Sequence, residues 1–297
     1  MSNLFKKSAP LKNITNISKD KSSQNLSNDE LIIYKSHLAH EKQEICMVHK
    51  YDLDIFLFYK NLDRSYKYKN NEISFTSRSK MIDWIIYVHN RLNLAQDTLF
   101  LTVFIIDKFL IKKDIPKNKL YLVGISALMI ACKFEEVICP TLNNLVVLSD
   151  NKITEDDIKK AEKFMLHILD YDILFSNPLN FLRRCSKANN YEKKSRTVAK
   201  YILELSVLYE DLLIYKNSIK AASAMYLARK ITQQDTCKNL FTLYSGHSKE
   251  ELRECFNKMI QMIAEPIKYE YIKKKYDTQK YNFVSSYVSE YAKQNFY

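Results

Sequence analysis

Residues 121–136 read YLVGISALMIACKFEE, and the fold turns on how that stretch is understood. Tyr121 to Cys132 carry no charge and are almost all apolar. A helix needs about 20 such residues to span a bilayer, so this run is too short. It is predicted instead to be a helix buried on all sides in a protein core. Lys133 follows at once, with Phe134, Glu135 and Glu136 behind it. On a helix, Lys133 has Met129 and Ile130 one turn before it and Val137 one turn after. A cation among apolar neighbours requires an anion or suffers a heavy desolvation penalty.

Two further apolar stretches each carry a single misplaced carboxylate. Leu99 to Ile111 (LFLTVFIIDKFLI) has Asp107 among Val103, Phe104, Leu110 and Ile111. Asp156 to Leu169 has Glu162 among Ile158, Met165, Leu166 and Leu169. These are the spacings of residues that share a core-facing helix side. Any one of the three charges alone reads as a stripe-edge residue with its head in water. Three together, with opposed signs, are predicted to form a semi-buried ion cluster that fixes helix placement or presents charge to a partner.

The rest of the composition agrees with an all-helical chain. Of 297 residues, 46% are hydrophobic and 27% charged, and the length suits two domains. Only 2 Gly and 5 Pro leave few tight turns. The six cysteines are scattered with no C-x-x-C pair, which argues against a zinc ribbon or a disulfide framework. MSNLFKKSAP has no apolar secretory core and Ser2 is not a myristoylation site, so a reducing intracellular compartment is expected. The net charge of +12 has no tight Arg-rich patch behind it. Abundant Lys, Asn, Ile and Tyr make compositional drift the preferred reading over nucleic-acid binding. No Gly-rich phosphate loop, no carboxylate pair near a His and no metal spacing appears, so neither an enzyme nor a cofactor is expected.

Several segments in order resemble the cyclin box of cyclins: MIDWIIYVHNRLNL, TLFLTVFIIDKFL, the apolar helix ending in KFEE, and AEKFMLHILDYDI. FLRRCSKA with TVAKYILELS is similar to the B-type, mitotic cyclins. The resemblance runs from about Tyr51 to the C-terminus. The five characteristic positions of the family are filled by Arg78, Asp107, Leu122, Lys133 and Glu162. It implies an all-α chain of two tandem five-helix cyclin boxes behind a disordered tail: residues 1–45, 46–175 with a preceding helix, and 176–297. It implies a regulatory subunit that binds and activates a cyclin-dependent protein kinase at G2/M, in nucleus and cytoplasm. Arg78, Asp107, Lys133 and Glu162 become the ion cluster. Lys133, Phe134, Glu135, Glu136 and Glu162 become kinase contacts, with Tyr171 and Ile173 just beyond the last helix. A cyclin-box general transcription factor of the B type, clamping promoter DNA and polymerase, is the alternative; the missing zinc ribbon and the FLRR segment speak against it.

Taken in order, residues 1 to about 40 are rich in Ser, Asn and Lys and cannot bury enough surface to order themselves. Leu11, Ile14 and Asn16 resemble part of the mitotic destruction box, with Ser8 where the family has arginine. That resemblance implies ubiquitin-ligase machinery as a partner of the tail. Tyr51, Ile55 and Phe58 recur at helical spacing in the helix before the box, either as kinase contacts or as a cap on the core. Helix starts are predicted near Met81, Leu99, Lys119, Thr141 and Thr154. Gly124 in mid-helix implies close helix approach. Met81 and the lone Trp84 fall where the family docks short substrate motifs, but Ser77 and Lys80 replace apolar groove residues. In the second half, Asn177–Pro178, Thr197 to Leu213, Ser218 to Ile231 and Lys249 to Ala264 read as helices, followed by a short helix and tail.

Overall fold

The computed structural model describes Ile32, Lys35, Ser36 and residues 51–65, 73–234 and 238–296. The tail residues Leu11, Ile14 and Asn16 lie outside them. Among the described residues the secondary structure is entirely helical. Thirteen α-helices run in order: α1 (Asp52–Leu62), α2 (Phe75–Arg91), α3 (Gln96–Lys112), α4 (Leu120–Glu135), α5 (Leu142–Leu148), α6 (Glu155–Ile168), α7 (Pro178–Cys185), α8 (Lys193–Ser206), α9 (Asn217–Ile231), α10 (Lys238–Ser245), α11 (Lys249–Ala264), α12 (Glu270–Tyr276) and α13 (Val284–Phe296). Helices α2–α6 form one five-helix unit and α7–α11 a second; α12 packs on α2 and α8, and α13 on α8 and α11.

Helix α4 is the axis of the first unit. Eleven of its residues are buried, from Leu120 and Val123 through to Cys132. It packs against α2, α3 and α6, as a helix apolar on every side must. Gly124 explains how α2 comes so near. A Cβ there would sit 2.6 Å from Met81 Sδ and 3.2 Å from Ile85 Cδ1. The second unit is built the same way around α9, whose Ala221, Ala222, Ala224 and Ala228 are all fully buried. Small side chains let α7, α8 and α11 approach it closely.

Helix ends follow local chemistry. Thr154 Oγ1 accepts from the Asp157 amide at 3.1 Å, and Asp157 accepts from the Thr154 amide, a capping box that opens α6. Asn177 caps α7 with Pro178 in its first turn. Two boundaries differ from the sequence reading. Helix α2 begins at Phe75, not near Met81, because Ser74 Oγ accepts from the Ser77 amide and starts the helix early. Helix α8 runs Lys193–Ser206 rather than Thr197 to Leu213: Glu192 starts it early by accepting from the Lys194 and Ser195 amides, and past Val207 the chain turns into a separate 3-10 turn at Glu210–Leu212. Helix α10 is not among the helices named from the sequence, and the tail holds two helices instead of one.

Buried polar groups lock the two units together. Arg78 and Ser79 of α2 donate to the carbonyls of Val207 and Leu208, at 2.8 and 3.0 Å. Asp63, just after α1, accepts from Ser176 Oγ and from the Asn217 and Ser218 amides that open α9. Glu204 of α8 pairs with Lys275 of α12 at 2.7 Å, both side chains buried, and Gln96 of α3 donates to Glu204 and Tyr276.

Candidate functional site

Lys133 lies in the last turn of α4, where the helix leaves the core. Its Nζ donates to Glu162 Oε1 of α6 at 2.6 Å. The Lys133 side chain is 49% exposed and that of Glu162 14%. The sequence reading placed Lys133 in an apolar setting. Its turn does start from buried Met129 and Ile130, but Val137 one turn on is fully exposed and closes nothing over it. The lysine stem therefore lies on apolar surface with its head at the rim.

The single ion cluster resolves into two separate pairs. Asp107 accepts from Arg78, Nε to Oδ1 at 2.6 Å and Nη2 to Oδ2 at 2.7 Å, a fork-to-fork contact. Arg78 is fully buried and its third contact crosses to Val207. Asp107 thus faces the junction between the two units, whereas Glu162 faces the end of α4. Helices α2 and α6 both pack on α4, but Asp107 answers a cation from α2 and Glu162 one from α4.

The elements that carry the Lys133–Glu162 pair expose large apolar side chains: Phe134 in the last turn of α4, Val137 and Ile138 just after it, Phe164 on α6, and Tyr171 and Leu174 beyond it. On α1, Tyr51, Ile55 and Phe58 are exposed as well. Single exposed apolar residues are ordinary, but several on the elements that carry one ion pair make this a candidate interaction surface. Other predicted contacts fall differently. Glu135 is exposed, and partial burial, with Asp97 and Glu136 nearby, raises its carboxyl above the usual range. Glu136 is used inside the fold: it accepts from the Ala95 amide at 2.7 Å and Thr98 Oγ1 at 2.5 Å, at the start of α3. Helix N-termini hold carboxylates in this way through their unpaired amides. Ile173 is half-buried against the core, while Leu174 next to it turns outward and Phe175 stacks on Phe104 with centroids 4.9 Å apart.

The docking groove is also altered. Met81 is fully buried beneath Gly124, so it lines no surface. Trp84 is partly buried and meets Tyr121 edge-on, with centroids 5.0 Å apart. Asp83 on the same helix accepts from the Tyr271 and Ile272 amides and holds the start of α12. Burial raises its carboxyl, and those backbone donors oppose the rise.

Sequence reasoning missed the residues that hold α1 in place. Asp52 pairs with Arg184 and with Lys187, the latter at 3.2 Å, and the Arg184 guanidinium lies 4.2 Å from the Phe56 ring centroid. Only the acidic first turn of α1 hinted at a cationic partner. The partners stand more than a hundred residues away, so no local pattern names them.

Two tandem five-helix units, joined through a buried arginine and carrying an ion pair at one rim, are those of a cyclin. The N-terminal cyclin domain model matches residues 54–174 and the C-terminal cyclin domain model residues 176–290. The chain belongs to the cyclin family. Its relatives are of the mitotic class. It is 39% identical to the G2/mitotic-specific cyclin cdc13 of Schizosaccharomyces pombe, over 84% of this chain and 53% of that protein. It is 32% identical to the G2/mitotic-specific cyclin cig2 of the same species, over 93% of this chain and 68% of the relative. The G2/mitotic-specific cyclin-B of Hydra vulgaris is 35% identical over 80% of this chain and 67% of its own. The chain spans about half the length of the first of these. A viral cyclin from herpesvirus saimiri shares the fold with TM-score 0.62 at 17% identity, covering 71% of this chain and 97% of the viral one.

Proposed function

We propose that this chain binds and activates a cyclin-dependent protein kinase and thereby drives entry into mitosis. It contributes no catalytic group of its own. The observation that carries the reading is the rim of exposed apolar side chains around the Lys133–Glu162 pair, on a helix that the core holds rigid. A kinase of this class is active only when its mobile helix seats the Lys–Glu pair of the active site. A rigid apolar face that binds the seated form better than the free one shifts that equilibrium. Phe134, Ile138, Phe164 and Leu174 supply area, and Lys133 and Glu162 supply fixed charges that set orientation. Helix α1, with Ile55 and Phe58, extends the face toward the second unit. The proposed sites of action are nucleus and cytoplasm, and the N-terminal tail is the proposed handle for ubiquitin-ligase machinery.

Co-purification with identification of the partner by mass tests the reading. A protein kinase whose activity rises on mixing is the expected outcome. Capture of polymerase components, with a salt-dependent shift of promoter DNA, would replace it by the transcription-factor reading.

A further inference from the structure

A cavity of about 70 Å³ lies at the junction of the two units. Phe104 and Ile111 of α3, Phe175, Leu203, Val207 and Leu213 make its walls apolar. Four charged or polar side chains that reach it are already committed. Asp107 is held by Arg78, Lys108 by Asp172 at 2.7 Å, Ser206 Oγ donates to the Leu203 carbonyl, and Asn217 Nδ2 donates to the Ser176 carbonyl. Lys220 of α9 also lines the cavity, and among the described residues no acceptor holds its amine. Burial lowers its pKa from the ordinary lysine value; Cys255, Asp107 and Asp63 oppose that shift, and Arg78 adds to it. A half-buried ammonium without an anion is unfavourable, and an apolar enclosure makes the first suitable anion bind more strongly.

We infer that this junction cavity is a binding site for a small monocarboxylate with a short apolar body, its carboxylate paired with Lys220. The walls select the class. A single free cation surrounded by aromatic and aliphatic side chains suits one negative charge with hydrocarbon behind it, and does not suit a phosphate, which needs several donors. The size selects the length. A water occupies about 10–15 Å³ on this measure, so the cavity takes on the order of five water-sized groups, the scale of a four-carbon acid.

Titration of the full chain with sodium isobutyrate, followed by calorimetry and ligand-observed NMR, tests the site. Isobutyramide, the neutral isostere, is the control. The expected result is saturable binding of the acid, with the amide weaker by about tenfold or more, the size of one charge-assisted contact. Lys220→Met should abolish that preference, and it should fold, since it replaces a poorly solvated charge by an apolar chain of similar length. In the unaltered protein, affinity should fall as pH rises through the lowered Lys220 pKa. Equal binding of acid and amide, unchanged affinity in Lys220→Met, or binding only of an acidic peptide and not of the free acid would overturn the assignment. None of these measurements needs a kinase, so they stand apart from the function proposed above.

Discussion

Arg78–Asp107 and Lys133–Glu162 are the same chemistry in two settings. Both join a basic and an acidic side chain from different helices of the first unit at 2.6 Å. The first is sealed: Arg78 has no exposed surface and Asp107 17%. The second stands at a rim with its lysine half in water. A sealed pair with a third contact to the other unit acts as a registration pin, because any slip leaves a buried charge alone. The two carboxylates are similarly covered, so the difference lies in the cations: a rim pair contributes less to folding because water competes for its half-exposed lysine. The contrast assigns the sealed pair to architecture, and under the function proposed above the rim pair serves recognition.

The largest expected effect lies at the sealed pair. Arg78→Met removes the guanidinium and leaves the Asp107 carboxylate and the Val207 carbonyl without their donor. Loss of about 3–5 kcal/mol of unfolding free energy is expected, the range for breaking a buried pair from one side. Denaturant titration followed by circular dichroism measures it. A loss under about 1 kcal/mol would show that water reaches Asp107, and the contrast between the pairs would fail.

How much of this was legible in the sequence follows from the range of the interactions. Helix α4 was plain, because an uncharged run of twelve residues has one physical solution. Gly124 announced close packing for the same local reason. Lys133 and Glu162 were found by asking which charges interrupt apolar faces. That method also found Asp107, but it could not say which cation answers it, since periodicity fixes a face and not the neighbour across from it. Glu136 shows the limit sharply. It lies beside Glu135 in the chain and looks equivalent, yet one carboxylate caps α3 and the other faces solvent. Asp63 and Glu204 were invisible, because their partners come from the other unit. Helix α10 buries Leu240, Phe241 and Tyr244 on one side, but at eight residues it is too short for its stripe to stand out from the chain around it.

His89 sharpens the comparison at the other end of α2. It is buried, its Nε2 bonds the Ala95 carbonyl at 2.7 Å, and its Nδ1 has no partner. Burial first, and the nearby Lys275 second, lower its pKa to about 4. The unfolded chain takes up a proton near pH 6.5, and the folded chain only near pH 4. Stability is therefore complete above pH 6.5 and is lost as pH falls from there to about 4. The loss on this account is roughly 3 kcal/mol. His89→Gln keeps a donor for Ala95 and cannot titrate, so its stability should fall less over that interval. Parallel denaturant curves at pH 7 and pH 4.5 measure the difference. An equal loss of stability between the two pH values in both proteins would mean that His89 gains its proton without leaving the core.

The smallest effect on folding should accompany the plainest effect on partner activation. Lys133→Ala removes the half-exposed lysine chain that covers Glu162 and opens that carboxylate to water, so unfolding free energy should change by less than about 1 kcal/mol. Kinase activation should nevertheless fall by about tenfold or more, because a contact that is cheap in water becomes a desolvated charge pair once a partner covers the rim. Glu162→Ala should match it in size. The double variant Lys133→Ala with Glu162→Ala then separates two accounts. If the residues act as one unit, the double variant is no worse than either single one; if each touches the kinase independently, the losses multiply. Activation unchanged in all three, with circular dichroism intact, would remove recognition from this rim and leave the exposed apolar residues of α1 as its carrier.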